Sequence, residues 1–184
     1  MCPMADTTDP SLPPERRDLL ESLTTHRRFL RQTTEGLTDE QARLRPTVSE
    51  LSIGGLVKHV AATERGWAEF MVDGGGLRAD PDVDWSNPTP EMIEEYRSGF
   101  QLLEGETLAR VLEDYDAVAA ETDRLVAELP DLDRSFPLPP APWFAPGAVR
   151  SVRRTILHII AETAQHAGHA DIIRETIDGS RTMG

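Results

Sequence analysis

Four stretches of this chain repeat apolar residues every three or four positions, and none alternates apolar and polar residues long enough to form a strand face. That pattern commits the chain to long amphipathic helices, each needing neighbours to cover its stripe. The first spans about Pro14 to Thr34, with Leu19, Leu20, Leu23 and Leu30 on its inner face. Pro13 and Pro14 suit a helix start, where a missing N–H costs little. Gly36 ends it, and Thr38 to Gln41 reads as a capping box opening a short helical turn.

The second helix spans about Ser52 to Val72, with Ile53, Leu56, Val60, Trp67 and Phe70 at helical spacing. Gly74, Gly75 and Gly76 stop it. An Asp- and Pro-rich loop over 77–90 and a minor helix from Glu91 to Leu103 follow. The third helix runs from about Thr107 to Leu129, its stripe being Leu108, Val111, Tyr115, Val118, Thr122, Leu125 and Leu129. Residues 130–147 read as a long Pro-rich loop. Loops of that length in a compact domain are uncommon and often functional. Trp143 and Phe144 on it suit either a cover over a site mouth or anchors that pin the loop. The fourth helix spans about Val149 to Ile177, with Val152, Ile156, Ile159, Thr163, Ala170, Ile173 and Ile177 inside. The expected fold is all-α: a four-helix bundle with long loops and a minor extra helix. Residues 1–13 read as a flexible tail and 14–184 as a single helical domain.

The chain carries 32 acidic and 19 basic residues, a formal net charge of −13 at pH 7. Such a surface repels phosphate backbones, so nucleic-acid binding is not expected. Arg150, Arg153 and Arg154 form one basic spot at a helix start, where solvated charge is the expected role. The apolar runs are too short to span a membrane. No secretory signal opens the chain, and the one cysteine, Cys2, allows no intrachain disulfide, so a reduced, cytoplasmic setting is expected.

Three of the five histidines fall on the fourth helix, in the run His158, Glu162, His166, His169. At about 100° per residue these four side chains project within roughly 80° of one another. His166 also lies on the apolar stripe, and His59 sits one residue from Val60 on the second helix. A polar imidazole on a core stripe needs a partner, and bundle cores commonly build metal sites from Glu and His on facing helices. His158 and His166 stand roughly 12 Å apart along the axis, so both cannot bind one ion. Three pairs survive: His158 with Glu162, Glu162 with His166, and His166 with His169. Spacing does not choose among them. Glu64 lies about 140° around the helix from His59, so a salt bridge or a solvated position is expected for it.

Two segments, Leu51-Ser-Ile-Gly-Gly-Leu-Val-Lys-His59 and Leu157-His-Ile-Ile-Ala-Glu162-Thr-Ala-Gln-His166-Ala-Gly-His169, resemble the DinB-like superfamily of four-helix-bundle metalloproteins. The resemblance covers nearly the whole chain. It is nearest the branch of mycothiol-dependent maleylpyruvate isomerase and related thiol S-transferases, where glutamate stands in place of a histidine. It implies His59, Glu162 and His166 as metal ligands, with His158 and His169 beside them to orient a ligand or hold a bound water. It implies zinc as the metal, with nickel or ferrous iron suiting the same ligands, and mycothiol as co-substrate. The isomerase has an additional C-terminal domain that is not seen here, so general thiol transfer to an electrophilic small molecule is the expected chemistry. A metal-dependent hydrolase that activates water and a non-catalytic metal-binding bundle are the alternatives, and a homodimer is expected in either case.

Overall fold

The computed structural model describes residues 11–77 and 88–182. Among the described residues there are six helices: α1 (Pro14–Gln32), α2 (Asp39–Arg43), α3 (Ile53–Asp73), α4 (Pro90–Ser98), α5 (Leu108–Glu128) and α6 (Val152–Asp178). The first ten residues of the expected tail, and most of the Asp- and Pro-rich loop, lie outside the described residues.

The starts of these helices follow their sequence signals. Ser52, Thr107 and Ser151 each accept a backbone N–H from three residues on, satisfying one orphan donor of α3, α5 and α6. Thr38 and Gln41 form the expected capping box on α2. Left-handed glycines at Gly74 (φ 82°) and Gly179 (φ 79°) end α3 and α6, a backbone state that favours glycine.

Two buried clusters give the helix directions. One gathers Leu20 and Leu23, Trp67 and Phe70, Leu125 and Val126, and Ile156 and Ile159. The other gathers Leu30, Leu56 and Val60, Val111 and Tyr115, and Ala170 and Ile173. Read along the chain, α1 and α6 pass from the first cluster to the second, while α3 and α5 pass the other way. The bundle is therefore up, down, down, up. The parallel neighbours α3 and α5 require a long crossover, which carries α4. The core is thus legible in the stripes, with one exception between the clusters. There Arg27 is fully buried and bonds Glu64 on α3 and Asp123 on α5, the latter at 2.7 Å. Burial opposes the Arg27 charge, yet the two carboxylates hold its pKa above the ordinary value. Glu64 is therefore the partner in a salt bridge, not a solvated residue.

Three details depart from the sequence reading. The minor helix α4 ends at Ser98, short of the expected Leu103, because Gly99 follows and favours helix poorly. Ser135–Pro137 (β1) and Val149–Ser151 (β2) pair as a small antiparallel ribbon, with Phe136 opposite Arg150. Three-residue strands are too short for period-two patterning to register. The ribbon takes Val149 from the helix, so α6 begins at Val152. Of the three arginines there, only Arg154 is simply solvated. Arg153 pairs with Glu15 and Asp133, and Arg150 packs on aromatic rings. No described helix is long and apolar enough to cross a membrane.

Candidate metal centre

The second and last long helices bring their polar residues together across the bundle. One donor atom from each of His59, Glu162 and His166 lies within 4.8 Å of the other two. His166 Nε2 is 3.5 Å from Glu162 Oε2. Two ligands each about 2.1 Å from a tetrahedral ion stand about 3.4 Å apart, so this spacing already suits one. The imidazoles of His59 and His166 meet nearly at right angles, with ring centroids 5.0 Å apart.

Electrostatics favours ligation as well. Burial pushes His59 down to about 4, and the neighbouring His166 adds to the shift. Burial and then His169 lower His166. Both rings are therefore neutral near pH 7, the form that offers a lone pair to a metal. Two neutral imidazoles and one carboxylate are a borderline donor set suited to zinc, nickel or ferrous iron. The residues present thus fit a divalent ion.

The neighbours hold these rings in place. Phe100, just after α4, stacks on His59 with centroids 4.0 Å and planes 21° apart. Thr63 Oγ1 lies 3.4 Å from His59 Nε2. His169 Nδ1 stands 3.5 Å from His166 Nδ1, on the far side of that ring from Glu162. His158 Nε2 lies 3.5 Å from the other oxygen of Glu162, and its ring meets Trp67 edge-on at 4.8 Å. The side chains of Glu162, His158 and His166 retain 29%, 24% and 13% exposure, so small molecules can reach the centre. A separate groove of about 390 Å³ between α3 and α5, lined by residues such as Arg65, Val72 and Leu125, contains none of the three donors.

Phe100 was not legible as part of the centre, but a signal for it existed. Gly54 and Gly55 open α3, where each glycine costs up to about 1 kcal/mol relative to alanine. A Cβ on Gly55 would lie 1.8 Å from the Phe100 carbonyl oxygen. The bare backbone at Gly55 lets the chain after α4 cross α3 closely enough to lay Phe100 on His59.

Fold and donor set together define a helical bundle with a candidate His-Glu-His metal centre between two of its long helices. The chain belongs to the mycothiol-S-transferase family, whose model matches residues 18–179, within the DinB/YfiT-like superfamily. Family membership implies mycothiol S-transferase activity. A crystal structure of a conserved protein from Enterococcus faecalis shares the fold, with a TM-score of 0.58 at 17% identity over 87% of this chain and 95% of that one. No curated protein matches the chain.

Proposed function

We propose that this protein is a metal-dependent enzyme that joins the sulfur of mycothiol to an electrophilic small molecule, using His59, Glu162 and His166 to hold a divalent ion, with zinc as the leading choice. The observation that carries the reading is the convergence of these three donors in a chain of the mycothiol-S-transferase family. Bound there, a divalent ion would act as a Lewis acid that favours the thiolate form of the co-substrate at neutral pH. The partial exposure of Glu162 and His158 supports a site that admits substrate and argues against a sealed structural metal.

The remaining residues have definable work in this reading. His158 is lowered by burial and then by the charge of Arg150, so its ring is neutral near pH 7 and can take the proton lost by the thiol. His169 orients the His166 ring through its Nδ1 side. The sulfur then forms the new S–C bond, and a leaving group departs with the electron pair of the bond it breaks. A cytoplasmic setting belongs to this reading, as does a homodimer, for which Leu157 and Ile172 on the outer face of α6 offer exposed apolar surface.

Zinc-loaded protein supplied with mycothiol and a panel of alkyl and aryl halides is the test. The expected result is a thiol adduct, seen by mass spectrometry, that falls to background with His59→Ala. No adduct with any panel member would contradict the reading, and ester hydrolysis without thiol would favour water activation instead.

A further inference from the structure

Arg150 stands apart from the other arginines of this acidic chain. Buried Arg27 binds two carboxylates, and Arg174 binds Asp178 and two backbone carbonyls. Arg150 is half-buried, yet its guanidinium makes no hydrogen bond or ion pair among the described residues. Its Nη1 is buried without a partner. Arg28, Arg45, Arg97, Arg134 and Arg154 also lack side-chain hydrogen bonds among the described residues, but they are exposed and water serves them. A desolvated donor left unpaired is costly, and more so when it is charged. Rings rather than carboxylates surround it: the guanidinium lies 4.4 Å from the Trp67 ring centroid and 5.7 Å from that of Phe144.

Its location gives that unpaired donor a use. Trp67 bears edge-on against His158, which reaches Glu162 of the candidate centre. Arg150 is thus separated from the metal donors by one aromatic ring and one imidazole. The β1–β2 ribbon fixes it from behind, with Phe136 opposite it in register. Arg154 lies close enough to add to the positive field around His158. A planar guanidinium on an aromatic face is pre-organised for a planar, bidentate anion.

We infer that Arg150, backed by Trp67 and Phe144, is the anchor for a carboxylate on the electrophilic substrate, so that the enzyme prefers carboxylate-bearing electrophiles over neutral ones. This rests on the thiol-transfer reading for the role of the bound molecule, but not for the binding itself. The anchor places the carboxylate beside Trp67 and directs the rest of the substrate past His158 toward Glu162.

The test uses zinc-loaded protein and two matched pairs. The first is unreactive 4-methylbenzoate against 4-methylbenzamide, titrated by calorimetry. The second is 4-(chloromethyl)benzoate against 4-(chloromethyl)benzamide, turned over with mycothiol. Arg150→Met keeps the length and apolar stacking, and Arg150→Lys keeps the charge. Loss of a charge-assisted hydrogen bond corresponds to about 10- to 100-fold. Arg150→Met should weaken 4-methylbenzoate binding by that factor and leave 4-methylbenzamide within about twofold, with Arg150→Lys between. The same preference should appear in kcat/KM. Equal 4-methylbenzoate affinity in wild type and Arg150→Met, or no preference for the carboxylate over the amide in wild type, would overturn the anchor. Carboxylate binding that depends on Arg150, with no turnover of either chloromethyl compound, would uphold the anchor and count against thiol transfer.

Discussion

The ring of Phe100 lies on the imidazole of His59, centroids 4.0 Å apart, so a residue from the α4–α5 crossover fixes the orientation of a candidate metal ligand on α3. Aromatic pairs of this kind contribute about 0.5–1.5 kcal/mol beyond area burial. Phe100→Leu should therefore weaken zinc binding by about 2- to 10-fold with little change in helix content. Competition titration against a chromogenic chelator reads this directly, and unchanged affinity would remove Phe100 from the site.

Gly55 permits that stack. A methyl group there meets the Phe100 carbonyl, which is backbone and cannot swing aside. Gly55→Ala should destabilise the protein by about 1–3 kcal/mol or more, the usual range for overpacking. It should also lower zinc affinity, because relieving the clash moves Phe100 off His59. Gly168 on α6 has open space around its added Cβ, so Gly168→Ala is the matched control and should show neither effect by urea denaturation or zinc titration.

The buried layer of Arg27, Glu64 and Asp123 makes a separate prediction. Removing one member of such a network typically costs about 3–5 kcal/mol, because the charges left behind are unpaired. Arg27→Met should lose that much in chemical denaturation. Replacing all three by apolar residues of similar volume should recover most of it. Equal losses in the single and triple variants would contradict this account of the layer.

Acid should destabilise the metal-free protein through its histidines. His59 holds its proton off until about pH 4 when folded, whereas an unfolded histidine takes it up near 6.5. Between those values the unfolded state binds more protons, so stability falls as pH drops from about 6.5 to about 4. His158 and His166 are shifted in the same direction by burial. The Tm of metal-free protein should decline across that window, and His59→Gln should flatten part of the decline. A wild-type Tm independent of pH between 7 and 4.5 would contradict it.

The helices were legible because burial follows helical period: Leu20, Ile53, Leu56, Ile156 and Ile159 are fully or almost fully buried, as their spacing requires. The buried Arg27 was not, although it sits on the same stripe between Leu23 and Leu30, because a charge reads as solvent-facing until its partners on other helices are known. The site shows the same limit. Along α6, His158 to Glu162, Glu162 to His166 and His166 to His169 are all 3.5 Å apart. No spacing on that helix could select a pair. What distinguishes Glu162 and His166 is the approach of His59 from α3, a cross-helix fact that the chain's order does not display. Arg150 is hidden for a related reason: Phe144 lies nearby in sequence, but the Trp67 ring under its guanidinium comes from α3 and its ribbon partner Phe136 from β1.

The proposed metal centre needs His59, Glu162 and His166 to hold one divalent ion between them. Elemental analysis of the purified protein beside His166→Ala, with folding checked by circular dichroism, tests it most directly. Close to one ion per wild-type chain and little in the variant is the expected result. Equal metal content in the two folded proteins would contradict it.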